Sequence, residues 1–493
     1  MITARKNVLV IAASDSGGGA GVERDCRTVF DLGCHCLTAV TALTAQNTCR
    51  VAEIRETDPE FLKTCLNNLQ EDFVPGAIKI GLIPSIRSLQ VIQEFLEQLG
   101  DKRPFTIYDP VLTATAGQTM STLTPEDLLA SGFLAKVDLI TPNLPELALL
   151  TRSSQATGDY AEICHQTQIL MESFSGSVLV TGGHNNQAGY IYDLLHCPMA
   201  QPVVFRSRYF SQNTKHGTGC AVSSAVAAFI AQDMFPEDAC TAAIMYVGKA
   251  ISNGYCPGTG AGTPDSGFDY DDVNFLPQII SDYTSLSEKI SFQEEDRDLG
   301  LYPVVPSSLW VERLLKAGVK TIQLRIKDTN QPDLEEEICR SIDLGRKYDA
   351  RVYIDDHWAL AVKHQAYGVH LGQEDLLTAD LQLIADAGIR LGVSTHGYFE
   401  IARVLPLHPS YIALGHIFPT ATKVMKSHPQ GLVMLNHYAR LLKDIPTVAI
   451  GGIKEDTLPQ VQATGVSGVA VVTAITKAQD PEKSARKLME LMK

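Results

Sequence analysis

Between residues 301 and 475 the sequence repeats one pattern eight times: a short run rich in β-branched and aliphatic residues, then a stretch with helical spacing. The runs fall at 301–305, 321–327, 351–356, 368–372, 390–395, 411–418, 447–453 and 468–475. Helices are expected between them, as at 331–347 and 376–388. Strand–helix alternation calls for a parallel sheet with helices outside it. A doubly wound sheet would also satisfy that rule. Eight regular units in under 200 residues favour closure into a compact (β/α)8 TIM barrel.

The rest of the chain needs a second core, because 493 residues exceed what one core usually holds. Residues 254–264 (GYCPGTGAGTP) form a cluster of chain breakers, and a polar, acidic stretch follows. We expect domains at 1–264 and 298–493 with a linker at 265–297. Before the breakers, strands are expected at 7–13, 77–81, 105–109, 137–141, 177–181 and 203–207, and a small-residue helix near Gly219. Their longer, irregular connections indicate an α/β sandwich.

A formal net charge of −15 argues against a nucleic-acid partner, since phosphate backbones reward basic faces. No apolar run approaches the length needed to span a bilayer, and residues 1–16 lead into Asp15 and glycines where a signal peptide would carry a cleavage site. The 11 cysteines lack paired metal-type spacing and read as reduced thiols of a cytoplasmic protein.

The most informative string in the first half is Lys215-His-Gly-Thr-Gly-Cys220 ahead of the small-residue helix. Gly217, Thr218 and Gly219 would leave the first helical N–H groups bare, which makes an anion hole. Cys220 at that terminus is expected to have a lowered pKa. Taken alone, a glycine-containing helix start with a buried cysteine explains the string equally well. Ser14-Asp-Ser-Gly-Gly-Gly-Ala-Gly-Val-Glu-Arg-Asp25 follows the first strand with neither Walker nor dinucleotide spacing. Asp109-Pro-Val111 and Thr141-Pro-Asn-Leu-Pro-Glu146 end later strands, where acidic groups beside a phosphate suit a hydrated magnesium ion.

Together these four strings resemble the ribokinase-like hydroxymethylpyrimidine kinase / phosphomethylpyrimidine kinase family over about residues 5–264. The resemblance implies ATP as co-substrate, Mg²⁺, and phosphorylation of 4-amino-5-hydroxymethyl-2-methylpyrimidine and then its monophosphate. It also implies Cys220 as base, the Gly217–Gly219 amides around the transferring phosphoryl group, and Asp25 and Gln46 on the pyrimidine. Asp109, Asn143 and Glu146 would serve the magnesium nucleotide, with Glu146 on the metal. Thr181 stands where that family has Lys before Gly182-Gly-His184, and Lys215 is the candidate substitute. Relatives acting on pyridoxal typically carry Asp in place of Cys220, which makes pyridoxal the weaker substrate. The resemblance leaves room for a homo-oligomer through the kinase domain.

In the barrel half, polar residues gather at the C-terminal ends of the expected strands, where barrel enzymes keep their reacting groups. They are Gln323, Arg325 and Lys327, Asp355 and Asp356, Asp375, Ser394, Thr420 to Lys423, Gly451 and Gly452, and Thr473. Alternation sends Gln323, Arg325 and Lys327 to one face. Cations with carboxylates suit a magnesium pyrophosphate, and the Gly-Gly suits a phosphate. Singly, an Asp pair is often a solvated turn and Gly-Gly a tight loop; seven occupied strand ends on one face are harder to explain that way.

Gln323-Leu-Arg-Ile-Lys327, His370-Leu-Gly-Gln-Glu-Asp375, Gly392-Val-Ser394, Gly415-His-Ile-Phe-Pro-Thr420 with Thr422-Lys423, and Ala449-Ile-Gly-Gly-Ile453 resemble thiamine-phosphate synthase across 299–493. The resemblance implies condensation of the pyrimidine diphosphate with thiazole phosphate, releasing pyrophosphate through a pyrimidine methyl cation. Arg325, Lys327 and Lys423 would stabilise the leaving group, and Asp356 and Asp375 would hold magnesium. Gln323, Asp355, Ser394, Thr420 and Thr422 would contact substrate, with Gly452 and Thr473 cradling the thiazole phosphate. Asp355 stands where Asn is commoner, and Thr473 where Ser is. The first resemblance yields the substrate of the second. The rivals are a thiazole tautomerase in the barrel, against which the Gln-x-Arg-x-Lys and Thr-x-Thr-Lys strings argue, and a kinase half reduced to a pyrimidine-binding module.

Overall fold

The computed structural model describes residues 5–112, 120–153, 158–183, 189–210, 214–280, 290–420 and 428–493. The chain forms two compact units, Met1–Tyr270 with Asn274–Ile280 and Asp271–Val273 with Ser281–Lys493.

The first unit is built on a sheet with ten strands among the described residues. They are β1 (Asn7–Asp15), β2 (His35–Gln46), β3 (Val51–Glu56), β4 (Pro75–Ile80), β5 (Phe105–Tyr108), β6 (Leu139–Ile140), β7 (Ser177–Val180), β8 (Tyr190–His196), β9 (Val203–Arg208) and β10 (Gln278–Ile280). Their order is β10-β9-β8-β7-β6-β5-β4-β1-β2-β3, parallel from β2 to β7 and antiparallel at both margins. β1 is buried on both faces, which is why NVLVIAASD reads as a nearly unbroken apolar run. The helix Thr218–Ala231 is composed mostly of small residues and buried nearly all round, so it lies close on the sheet. A Cβ on Gly76 would come within 3.1 Å of Ala231.

All six strands expected in this half are present, and four further ones lie toward the margins. β3 (VAEIRE) exposes most of its side chains, so its charges mask the strand signal.

The second unit is a closed parallel barrel of β11 (Gly300–Val305), β12 (Thr321–Leu324), β13 (Arg351–Asp355), β14 (Gly368–Leu371), β15 (Arg390–Thr395), β16 (Tyr411–Gly415), β17 (Thr447–Ile450) and β18 (Gly468–Val471). Every expected strand is found, but several stop short of the expected C-terminal end. The difference matters because β12 ends at Leu324, so Arg325 to Lys327 belong to the following loop and strand alternation does not orient Lys327. Tyr302, Tyr353 and Tyr411 form an aromatic layer inside the barrel. Gly368 and Gly392 make room for it, since a Cβ on either would lie 2.2 Å from the Tyr353 or Tyr411 ring.

Part of the stretch expected as a linker is structured. Gln278–Ile280 is β10, and Ile290 and Phe292 are buried. The Glu295 side chain is 1% exposed and faces Arg351 (3.4 Å) and Arg390 (3.7 Å), which begin β13 and β15. Its carboxylate also accepts from the Tyr353 hydroxyl and, at 3.0 Å, from that of Tyr367. An acidic run reads as solvated chain until the arginines that meet it are brought together.

Candidate active sites

In the first unit a cavity of about 730 Å³ opens at the C-terminal ends of the parallel strands. Two glycine-bearing loops form one wall. The Asp15 carboxylate accepts from the Gly17, Gly19 and Ala20 amides at 2.8, 3.0 and 2.9 Å and lies 2.8 Å from His216 Nε2. Burial works against the charge on Asp15, but the His216 side chain and these amides outweigh it and lower the pKa. Gly217 has φ +80°, and a Cβ there would lie 1.9 Å from the Gly19 carbonyl oxygen. Only glycine permits that approach.

Gly217 caps the helix Thr218–Ala231 without a side-chain hydrogen bond, which leaves the expected bare N–H groups facing the cavity. Behind them lies a group the sequence reading missed. Lys79 is fully buried, with Nζ 2.9 Å from Asp25 Oδ2 and 3.7 Å from Asp109 Oδ2. A lysine inside the apolar run Ala77 to Leu82 was the signal available, since a charge there needs a buried partner. Ser224 Oγ donates to the other Asp25 oxygen at 2.7 Å, and Ser223 Oγ donates to Asp109 at 3.1 Å. Burial pulls the Lys79 pKa down, but the neighbouring groups, Asp25 foremost and Asp109 among them, together more than restore it and the ammonium is retained.

Two expectations are corrected here. Asp25 does not line the cavity; it sits beneath it as the partner of Lys79 and Ser224. Cys220 lines the cavity, but its pKa is raised rather than lowered. Burial is the largest cause; Lys79 opposes it and the charges of Asp109 and Asp25 reinforce it. The helix terminus does not win against burial and two carboxylates.

Gln46, Asp109, Asn143, Glu146, Lys215, Gly217, Thr218, Gly219 and Cys220 all line this cavity. Asn143 and Glu146 cap each other's backbone N–H, both at 2.9 Å, at the start of the helix Leu144–Leu150. Burial first, then the charge of Asp109, pushes Glu146 up to about 8. Gln46 Nε2 lies 3.3 Å from His216 Nε2. Lys215 is exposed at the rim, and Thr181 lines the same cavity opposite Asp193, whose pKa burial raises to about 6. His184 lies outside the described residues.

In the second unit the expected site residues that are described lie at the C-terminal ends of the barrel strands or in the loops that follow them. Asp355 is buried at the end of β13, accepts from Gln323 Nε2, and lies 2.9 Å from Arg325 Nε. Asp355, expected to contact substrate, anchors Gln323 and Arg325 in this structure. Asp356 follows with φ +61° and an exposed side chain. Desolvation, then the charges of Asp355 and Asp375, raises the Asp356 pKa to about 7. Because this side chain meets solvent, we give the neighbouring charges the greater weight.

Ser394 stands half-buried one residue before the end of β15, with Oγ 2.8 Å from His370 Nε2. Gly451 and Gly452 have φ +104° and +68°, and a Cβ on Gly452 would lie 2.6 Å from the Pro419 carbonyl oxygen. The close approach of the two loops thus requires these glycines whatever they bind. Thr420 is half-buried, whereas Lys327 and Thr473 are exposed. Thr422 and Lys423 lie outside the described residues.

Residues 15–265 match the phosphomethylpyrimidine kinase family, and residues 301–475 match thiamine monophosphate synthase. Thiamine-phosphate synthase of Proteus mirabilis is 58% identical over 206 residues, 42% of this chain and 96% of its own length. That of Yersinia pseudotuberculosis is 57% identical over 201 residues, covering 41% and 94%. The chain belongs to both families.

It is a phosphomethylpyrimidine kinase domain fused to a thiamine-phosphate synthase domain, both of thiamine biosynthesis. The reading of the first half as a degenerate binding module is not favoured, given the extent of the kinase match. Among solved structures, pyridoxal kinase from Staphylococcus aureus in complex with ADP is 23% identical with a TM-score of 0.49, covering 56% of this chain and 98% of that one. Phosphomethylpyrimidine kinase from Clostridium difficile is 27% identical with a TM-score of 0.42, covering 50% and 100%. Among the described residues, no helix is long and apolar enough to cross a membrane.

Proposed function

We propose that the first unit phosphorylates hydroxymethylpyrimidine and then its monophosphate with ATP, and that the barrel condenses the resulting diphosphate with thiazole phosphate. The observation that carries the kinase reading is the bare helix terminus at Gly217–Gly219 set above Cys220, Asp109 and Lys79. The amides hold the equatorial oxygens of the transferring group. Because Cys220 is held as a thiol and hydrogen-bonds to Asp109, the substrate hydroxyl gives its proton to Sγ as the thiol proton passes to Asp109. Lys79, 3.7 Å from Asp109, favours the carboxylate form that receives this proton. Gln46 orients the pyrimidine, and Lys215 and Thr181 face the nucleotide phosphates.

Among the described residues, no cluster of three or more His, Cys, Asp or Glu side chains forms a ready metal cage. Magnesium nevertheless fits both sites, because it commonly needs only one or two carboxylates besides substrate phosphate. Glu146 would hold it in the kinase, where the charge of Asp109 already raises its pKa. Asp356 and Asp375 would hold it in the barrel, where their mutual repulsion is what a cation relieves. The ion would supply charge neutralisation at the phosphates. Arg325, anchored by Asp355, faces the leaving pyrophosphate with Lys327, and Gly452 and Thr473 receive the thiazole phosphate; Lys423 is assigned to the pyrophosphate from the resemblance alone.

The test is the full chain incubated with hydroxymethylpyrimidine, ATP and Mg²⁺, then with thiazole phosphate, and the products resolved by mass. Monophosphate, diphosphate and thiamine phosphate should appear in that order. Thiamine phosphate formed only from supplied diphosphate would leave the kinase reading without support.

A further inference from the structure

Within the barrel, four side chains from four strands form one line of hydrogen bonds from the aromatic layer to the mouth. The Tyr302 hydroxyl on β11 lies 2.8 Å from that of Tyr411 on β16, and Tyr411 lies 2.7 Å from His370 Nδ1 on β14. His370 Nε2 lies 2.8 Å from Ser394 Oγ on β15. Tyr302, Tyr411 and His370 are buried, and the His370 and Tyr411 rings stack with centroids 5.6 Å apart. The absent side chain of Gly392, two residues before Ser394, is what admits the Tyr411 ring. The Ser394 carbonyl is held as well, accepting from Gln373 Nε2 at 2.8 Å.

The line has a direction. A phenol is a stronger acid than an alkyl hydroxyl, so of the two hydroxyls flanking the imidazole Tyr411 is the better donor. Burial raises the pKa of both tyrosines and keeps them protonated. If Tyr302 donates to Tyr411 and Tyr411 to Nδ1, the imidazole proton sits on Nε2 and points at Ser394 Oγ. The Ser394 hydroxyl proton is then turned outward. The opposite tautomer would turn it inward and present only a lone pair to the mouth.

We propose that Tyr411 and His370 are positioning residues of the synthase site, fixing Ser394 as a hydrogen-bond donor toward the diphosphate of the pyrimidine substrate. This rests on the reading of the barrel mouth as the diphosphate site. Donation to an oxygen that gains charge as the carbon–oxygen bond breaks contributes mainly in the transition state.

The experiment has two arms on the full chain. Nitrogen-15 NMR of histidine-labelled protein should show His370 with its proton on Nε2, and this arm needs no catalysis. In the kinetic arm, Tyr411→Phe should lower synthase kcat on supplied pyrimidine diphosphate about tenfold, as expected for one misdirected hydrogen bond, with the KM for thiazole phosphate unchanged. Kinase turnover should match the unaltered protein. The double variant Tyr411→Phe/Ser394→Ala should be no slower than Ser394→Ala, because the tyrosine acts through the serine. A proton on Nδ1, full activity in Tyr411→Phe, or an undiminished effect in the Ser394→Ala background would each overturn the proposal. If the unaltered chain makes no thiamine phosphate, the functional reading fails instead, and the NMR arm still decides the tautomer.

Discussion

Lys79 Nζ and Asp25 Oδ2 lie 2.9 Å apart under the kinase cavity, and neither side chain has any exposed surface. Such a pair is costly to break, because removing one partner strands the other charge in a dry site. Asp25→Ala should therefore destabilise the kinase unit by about 3–5 kcal/mol. Chemical denaturation followed by kinase activity would measure it, with synthase activity as the internal reference. A variant of normal stability with a raised KM for hydroxymethylpyrimidine would instead return Asp25 to the pyrimidine.

Cys220 calls for a different test, since its thiol is only half-buried yet is flanked by carboxylates that raise its pKa. Iodoacetamide at pH 8 should alkylate Cys49 first; that residue is exposed, and hydrogen bonds from Thr259 and Thr48 lower its pKa. Mass spectrometry of peptides would give the order. Cys220→Ala should lower kinase turnover by roughly a hundred- to ten-thousand-fold with synthase activity unchanged. Near-normal turnover would remove Cys220 from the proton path.

The barrel was legible because eight short β-rich runs recur at even spacing, and their ends carry the polar residues that meet at the mouth. What sequence spacing could not carry was pairing across the fold. Asp25 and Lys79 are 54 positions apart, and Asp355 meets Arg325 across two strands. Each of these residues alone resembles a ligand-binding charge, and only the partner distinguishes an anchor from a contact. The Cys220 pKa failed for the same reason: the helix start is visible locally, whereas Asp25 and Asp109 arrive from elsewhere.

The same blindness affected the domain boundary, and truncation tests it. A barrel fragment beginning at residue 298 lacks Ile290, Phe292 and Glu295, leaving Arg351 and Arg390 without their buried carboxylate. Relative to a fragment beginning at 290, it should lose about 3 kcal/mol, the low end for a broken buried pair because both arginines keep some solvent. Urea denaturation of the two fragments would compare them. Fragments 1–280 and 290–493, mixed, should carry hydroxymethylpyrimidine through to thiamine phosphate. Equal stability of the two barrel fragments would show that Glu295 contributes nothing.

The adjacent aspartates of the barrel should respond oppositely to neutralisation. Asp355 accepts from Gln323 and pairs with Arg325, whereas Asp356 faces solvent with its pKa raised from 3.8 to about 7 by desolvation and by the charges of Asp355 and Asp375. In the absence of metal the folded protein holds a proton here that the unfolded chain would release. This group's contribution to stability therefore falls as pH rises from about 4 to 7. Magnesium competes with that proton, so the metal requirement of the synthase should ease between pH 6 and pH 8. Asp355→Asn keeps an acceptor for Arg325, and Gln323 can rotate its amide to meet the new N–H group. The variant also deletes one of the charges that raise Asp356. It should retain most synthase activity and need less magnesium at pH 6 than the unaltered protein. Asp356→Asn should lose most activity at every pH and not recover at moderate magnesium. Synthase rates on supplied diphosphate, titrated with Mg²⁺ at the two pH values, measure both variants. An equal collapse would mean that the Asp355 carboxylate is required as well, and that Asp356 and Asp375 alone do not account for the metal site.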